Sequence, residues 1–228
     1  IIMKTLLSVY FILLIFPVFT QKETRHLLGG GFSPEATYRT VEGGDSPLNI
    51  DVFGFGYTVG ITYQYNIKWY VAIETGINFS DKACYFDAAQ LSFGDQIDPR
   101  RGFIYNTGDN NTYRKYDLDL FYLEVPLKFN FYFTKSKVKP FVGIGLLNNF
   151  YLVSGGFGPD YSRSNFQRPY NLQGIISGGL DIDFNKKLTL RFEPQFKHSL
   201  FSIWKDGWGK EYPYSIGCLI GLYYRFGK

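Results

Sequence analysis

Large apolar residues occupy every second position over long stretches of the chain. Residues 117–133 show this most clearly, with one set of alternate positions held by Phe121, Leu123, Val125, Leu127, Phe129, Phe131 and Phe133. The positions between them are mainly polar. A period of two is typical of a β-strand whose two faces meet different environments. The same alternation predicts strands over residues 25–40, 50–66, 69–86, 117–133, 138–154, 170–184, 188–204 and 213–226.

The breaks between the predicted strands alternate in length. Short polar breaks cover residues 66–68, 134–137 and 185–187. Longer ones, rich in Gly, Asp, Asn, Ser and Arg, cover residues 41–49, 87–116, 155–169 and 205–212. Short turns at one end and long loops at the other are typical of an outer-membrane barrel. The pattern predicts an all-β fold, a transmembrane up-and-down antiparallel barrel of eight strands, formed by residues 21–228.

Volume decides which face of such a barrel points inward. A soluble, lipocalin-like barrel would hold its apolar face inside. Eight strands enclose a space just wide enough for side chains to fill, and six or seven large residues from every strand would overfill it. The other face is rich in glycine, including Gly54, Gly56 and Gly60. We therefore expect the apolar face to contact lipid, where a closed barrel satisfies its backbone hydrogen bonds.

Aromatic residues make up 20% of the chain and cluster near the ends of the predicted strands. Aromatic side chains collect where a membrane meets water. On the short-turn side the predicted girdle comprises Tyr65, Trp69, Phe131, Phe133, Phe184 and Phe226. On the long-loop side it comprises Tyr170, Trp204 and Tyr214.

Residues 1–20 differ from the rest of the chain. Lys4 precedes an apolar run from Leu6 to Val18 that Pro17 interrupts. The run is short for a membrane-spanning helix, which needs about 20 apolar residues, and it fits the apolar region of a signal peptide. We predict a cleaved signal peptide over residues 1–20 and localisation in a bacterial cell outer membrane.

Charged residues recur on the inward-facing positions. The predicted interior polar network comprises Glu74, Glu124, Lys128, Arg191, Glu193, Lys197 and Arg225. Such a set could form a selectivity filter, or a core of ion pairs that plugs the barrel. Buried charges require partners, and the candidate pairs are Glu124 with Lys128 and Arg191 with Glu193. The narrow lumen of an eight-stranded barrel favours the plug.

Two segments carry a resemblance to a known family. Residues 122–128 (YLEVPLK) and 139–145 (KPFVGIG), with the ending Tyr224-Arg225-Phe226, resemble the PorT-like outer-membrane β-barrel family of Bacteroidota-type bacteria. The resemblance covers most of the mature chain. It implies an eight-stranded, porin-like barrel, and one branch of that family is implicated in assembling a secretion system. Phe226 resembles the terminal aromatic residue that barrel-assembly machinery reads, although two residues follow it.

No catalytic, cofactor or metal site is predicted. The two histidines are His26 and His198, and Ser199 directly follows His198. Neighbouring residues of a strand face opposite sides, so a lipid A-modifying hydrolase built on this pair is a distant alternative. The net charge of +4 is too small to indicate a nucleic-acid partner.

The long loops are the preferred place for function, because a rigid scaffold presents them to the outside. The candidate loop contacts are Arg100, Arg101, Tyr105, Arg114, Arg163 and Arg168. The sequence predicts a non-enzymatic barrel that acts as a structural, adhesive or secretion-accessory component, with a small-solute, porin-like channel as the alternative. Expected partners are outer-membrane lipids and lipopolysaccharide, barrel-assembly machinery, and a surface or secretion-system protein.

Overall fold

The computed structural model describes residues 25–42, 51–52, 54–87, 97–98, 102–103, 115–156, 167–203, 205 and 210–226. The predicted signal peptide lies outside these residues. Eight long strands are present: β1 (Arg25–Glu42), β2 (Gly54–Lys68), β3 (Val71–Asp87), β4 (Lys115–Tyr132), β5 (Val138–Gly156), β6 (Tyr170–Asp183), β7 (Leu188–Ser199) and β8 (Lys210–Phe226). Strands of two residues each lie at Asp51–Val52, Ile97–Asp98 and Gly102–Phe103.

The eight long strands form one closed antiparallel sheet. Each strand pairs with the next along the chain, and β1 also pairs with β8. At this closing seam His26 lies opposite Phe226 on one side and Tyr65 on the other, so β1 starts where β8 ends. The prediction of an eight-stranded, up-and-down barrel is confirmed. None of the described residues forms a helix long and apolar enough to cross a membrane.

Most predicted strand boundaries lie within four residues of the observed ones, and two of the differences have a clear structural basis. The turn between β2 and β3 consists of Trp69 and Tyr70, rather than residues 66–68. Strand β7 ends at Ser199, five residues before its predicted end. The apolar neighbours Leu200 and Phe201 break the alternation there, and the chain bends so that Ile203 is buried. The Ile203 carbonyl accepts from the Arg168 amide at 2.8 Å, and its amide donates to the Glu211 carbonyl at 3.1 Å.

The two faces of the wall are divided as the alternation predicts. Large apolar side chains on the outer face, such as Phe55, Ile77 and Ile176, are about 60% exposed. The intervening inward positions are buried and mainly polar. Burying polar groups while exposing apolar ones is costly in water, so this surface is suited to a lipid surrounding.

Glycine allows the neighbouring strands to approach closely on the inner face. A Cβ added at Gly145 would lie 2.3 Å from the Leu127 carbonyl oxygen and 2.7 Å from the Lys128 Cα. A Cβ added at Gly60 would lie 2.5 Å from the Ile77 carbonyl oxygen. The atoms at these distances belong to the backbone, which cannot move aside as a flexible side chain would. These positions therefore require glycine. The glycines therefore leave room in the barrel for long charged side chains from the other strands.

Candidate functional site

The barrel interior is packed with charged side chains. Nine of them among the described residues are no more than 3% exposed: Glu35, Glu74, Lys82, Glu124, Lys128, Asp181, Arg191, Glu193 and Lys197. They comprise five carboxylates and four cations. This set includes every predicted member of the interior network except Arg225, which lies at the short-turn mouth.

Arg191 is the centre of the cluster nearer to the short turns. It projects from β7, and its Nε and Nη2 atoms donate to the Asp181 carboxylate at 2.7 and 2.8 Å. Its Nη1 atom reaches Glu74 on β3 across the lumen. Its Nη2 atom also donates to Gln64 Oε1 at 2.7 Å. The planar guanidinium therefore uses its donors on several strands at once, which a lysine could not do.

Aromatic rings cover the two sides of the Arg191 guanidinium. The Cζ atom lies 4.7 Å from the centre of the Phe141 ring and 4.6 Å from that of Tyr223. Cations over ring faces gain stabilisation that grows as water is excluded. The hydroxyl of Tyr132 accepts from Arg191 Nη2 at 3.0 Å and donates to Asp181 at 2.8 Å. Together these groups surround the Arg191 guanidinium.

Lys128 bridges two carboxylates on the long-loop side of Arg191. Its Nζ atom lies 2.5 Å from Glu193 Oε1 and 2.8 Å from Glu74 Oε1. Glu193 also lies 3.7 Å from Arg191 Nη1. The predicted pairing of Arg191 with Glu193 is therefore present, but it is longer than the contacts that Arg191 makes with Asp181.

A second cluster lies nearer to the long loops. Lys197 Nζ lies 2.5 Å from Glu35 and 3.4 Å from Glu124, and Glu124 in turn lies 2.9 Å from Lys82. Hydroxyl donors complete the shell of Glu35, from Thr58 at 2.7 Å and Ser215 at 2.8 Å. Each of the four charges thus has an oppositely charged neighbour.

The predicted pairing of Glu124 with Lys128 is wrong. The two residues lie four positions apart on β4, which separates their Cα atoms by about 13 Å in an extended strand. Glu124 contacts Lys82 and Lys197 instead. Sequence reasoning also missed Glu35 and Lys82. Lys82 lies on the same face of its strand as Glu74, so the alternation could have identified it as an inward-facing residue. Glu35 follows a run of glycines, and β1 therefore shows little alternation of apolar and polar residues.

Arg225 belongs to a separate ion cluster at the short-turn mouth. Asp183 contacts Arg225 Nη2 at 2.8 Å and Lys139 Nζ at 2.6 Å. Thr189 donates to the same carboxylate at 2.9 Å. These charged side chains are 17 to 20% exposed, unlike those deeper in the barrel.

The open space in the barrel is unevenly distributed. A cavity of about 680 Å³ lies at the short-turn mouth, and its lining includes Gln64, Tyr132 and Asp181, which all contact Arg191. In the middle of the barrel, between Glu74, Glu124 and Lys197, the cavity measures about 30 Å³. That is room for no more than a few water molecules. The space among the interior clusters is therefore much smaller than the space at the mouth.

The other predicted site residues divide between the wall and the loops. Trp69, Phe131, Phe133, Phe184 and Phe226 are exposed on the short-turn side, and Tyr65 is half-buried there. Tyr170 and Tyr214 are half-buried near the opposite end. Arg168 is half-buried where the chain enters β6. Trp204, Arg100, Arg101, Tyr105, Arg114 and Arg163 lie outside the described residues.

The structure also locates the histidine and serine residues of the hydrolase alternative. Ser199 points inward, where its hydroxyl accepts from Asn171 at 2.9 Å and Gln173 at 3.0 Å. His198 points outward and stacks on Tyr214, with ring centres 6.3 Å apart. The two side chains lie on opposite sides of the wall. Among the described residues, no group of three or more His, Cys, Asp or Glu side chains is arranged to hold a metal ion.

Comparison with known proteins agrees with this architecture. The family described as "Outer membrane protein beta-barrel domain" matches residues 28–205. The chain belongs to this family. Its members are outer-membrane proteins, and this places the barrel in the bacterial outer membrane, with the short turns facing the periplasm. No curated protein matches the sequence.

Several solved outer-membrane barrels are similar to this family member. The outer membrane protein OprG from Pseudomonas aeruginosa has 12% sequence identity and a TM-score of 0.52, covering 90% of this chain and 96% of its own. Neisserial surface protein A has 10% identity and a TM-score of 0.47, covering 90% and 100%. Ail, the attachment invasion locus protein of Yersinia pestis, has 11% identity and a TM-score of 0.40, covering 90% and 99%. At such identities the likeness to OprG concerns the fold alone.

Proposed function

We propose that this protein is a non-conducting outer-membrane barrel that acts as a structural, adhesive or secretion-accessory component and presents its long loops at the cell surface. The observation that carries the proposal is the interior, where the central cavity measures about 30 Å³. A solute channel requires a continuous water-filled path. Here Arg191 and Lys128 connect strands on opposite sides of the lumen through ion pairs, and these cross-connections support a lumen without such a path.

Single-channel recording tests the closed lumen. The mature protein, refolded and inserted into a planar bilayer, is expected to give no discrete conductance steps. The control removes four charged side chains from the cluster nearer to the short turns. It combines Glu74→Ala, Lys128→Ala, Arg191→Ala and Glu193→Ala, which leaves the net charge unchanged. Where this variant folds, it is expected to conduct. A steady conductance of the unaltered protein would establish the small-solute channel instead.

The secretion-accessory role rests on the PorT-like segments, residues 122–128 and 139–145. A barrel of this kind would contact a surface or secretion-system protein through its long loops. A photo-crosslinking residue at Arg100 or Tyr105 in intact cells is expected to capture such a partner. The same residue placed at Ile176, on the exposed outer face of β6, is the matched control and should capture lipid only. Identical crosslinking from loop and control positions would argue against a loop partner.

Two further parts of the proposal concern processing and chemistry. Cleavage of the predicted signal peptide after Thr20 should leave Gln21 as the first residue, which the intact mass of the membrane protein measures. The absence of enzymatic activity is supported by the opposite orientations of His198 and Ser199. Expression of the protein should leave the mass spectrum of lipid A unchanged, and a lost acyl chain would revive the hydrolase alternative.

A further inference from the structure

The short-turn end of the barrel carries an excess of exposed positive charge. Five lysines in or next to its three turns are exposed: Lys68, Lys135, Lys137, Lys186 and Lys187. None of the five is within ion-pair distance of a carboxylate among the described residues. Two carboxylates of the described residues line this mouth. Lys139 and Arg225 hold Asp183, and Arg191 holds Asp181. We call the five lysines the basic collar.

Each turn of the basic collar also exposes an aromatic side chain. Trp69 is 51% exposed, and Phe133 and Phe184 are each 60% exposed. The Nζ atom of Lys135 lies 4.9 Å from the centre of the Trp69 ring, and that of Lys68 lies 5.7 Å from the centre of the Tyr70 ring. Exposed aromatic rings sit at the level of the lipid headgroups. The lysines next to them are therefore held at the depth of the lipid phosphates.

The turns are braced, which fixes the backbone from which the lysine side chains project. Asn185 Oδ1 accepts from the amides of Lys187 at 2.7 Å and Leu188 at 2.8 Å. In the turn before β5, the hydroxyls of Thr134 and Ser136 both donate to the Val138 carbonyl.

Backbone hydrogen bonds tie each turn to the adjacent strand. The Tyr70 carbonyl accepts from the Tyr132 amide at 2.9 Å. The Lys137 carbonyl accepts from the Asp183 amide at 2.9 Å, and the Lys187 carbonyl from the Arg225 amide at 2.7 Å. Because the turn backbone is already ordered, binding does not have to pay the cost of ordering it.

We propose that the basic collar binds the headgroups of anionic phospholipids in the periplasmic leaflet. Phosphodiester oxygens are suited to lysine ammonium groups, and the adjoining rings favour a ligand anchored in the membrane over a soluble anion. A lysine near an anionic lipid surface gains about 1 kcal/mol, which is about a fivefold preference. The proposal does not depend on whether the lumen conducts.

Spin-labelled lipids provide the test. The mature protein is refolded in phosphatidylcholine vesicles that contain labelled phosphatidylglycerol or phosphatidylcholine with the same acyl chains. Electron paramagnetic resonance measures the fraction of each lipid held at the barrel. At low salt we expect the unaltered protein to prefer phosphatidylglycerol by about fivefold or more. In about 1 M salt, where the Debye length is about 3 Å, the preference should disappear.

Two matched variants show whether the charge of the collar is responsible. Changing all five lysines to glutamine should abolish the preference, and changing all five to arginine should preserve it. Heat-dependent electrophoretic migration reports folding. Should the fivefold glutamine variant not fold, Lys135→Gln with Lys137→Gln, and Lys186→Gln with Lys187→Gln, are expected to reduce the preference separately.

Four results would overturn the proposal. An unaltered protein that holds both lipids equally lacks the preference altogether. A glutamine variant that retains the preference places the binding elsewhere. A third result concerns isolated peptidoglycan. If the unaltered protein sediments with it and the glutamine variant does not, while both hold lipids with the same preference, the collar binds the cell wall. Loss of the preference on adding soluble glycerol phosphate at the lipid concentration would indicate a site for soluble anions.

Discussion

Replacing Arg191 with methionine should destabilise the barrel more than any exposed charge change. Methionine retains much of the side-chain volume but removes the cation. Lys128 still lies 2.8 Å from Glu74 and 2.5 Å from Glu193, so those carboxylates keep a partner. Asp181 loses its cation and keeps the Tyr132 hydroxyl at 2.8 Å. Orphaning one buried charge costs about 3–5 kcal/mol, and we expect Arg191→Met to fall in that range.

Reversible urea unfolding in lipid vesicles, followed by tryptophan fluorescence, measures this cost. The matched control is Arg225→Met, because its side chain is 17% exposed and Lys139 still neutralises Asp183. We expect that control to cost about 1 kcal/mol or less. Adding Asp181→Asn to Arg191→Met should recover at least about 1 kcal/mol, since the orphaned charge is removed. Equal costs for Arg191→Met and Arg225→Met would refute the reasoning.

Two further predictions use the same unfolding assay. Ile176, midway along β6 and 60% exposed, faces the middle of the bilayer; Ile176→Lys should cost about 2–4 kcal/mol, whereas Phe184→Lys at the interface should cost about 0–1 kcal/mol. Equal costs at the two positions would contradict a lipid-facing outer surface. Gly145→Val places a Cβ 2.3 Å from the Leu127 carbonyl oxygen and should cost about 1–3 kcal/mol. Gly30→Val, where the nearest atom lies 3.6 Å away, should change stability by about 0.5 kcal/mol or less.

Alternation and volume were sufficient to predict the fold. A period of two identifies a strand and assigns each residue to a face without knowledge of its neighbours. Phe129 and Phe131 are accordingly exposed on the outer face, as the alternation predicts. Boundaries were less certain where apolar residues sit side by side, as at Leu200 and Phe201. The turn at Trp69 and Tyr70 was misplaced because both residues are also common in strands.

The partners of the interior charges could not be predicted in the same way. Partnership depends on the register of each strand pair and on which strands face each other across the lumen. Arg191 and Glu74 contact each other across the barrel, although 117 residues separate them in the chain. A charge pattern within one strand carries no information about such a contact. The pairing proposed within β4 failed because strand geometry alone, about 3.3 Å per residue, keeps Glu124 from Lys128.

The placement of charges inside this barrel follows from the solvent outside it. Lipid tails are as apolar as the side chains of the wall, so burying more apolar groups inside would gain little from the hydrophobic effect. Strands that do not neighbour each other in the sheet need another source of attraction. Arg191 connects β7 with β3 and β6, and Lys197 connects β7 with β1 and β4. Because each connection ends on a paired charge, the same set of contacts occupies the interior and stabilises the barrel.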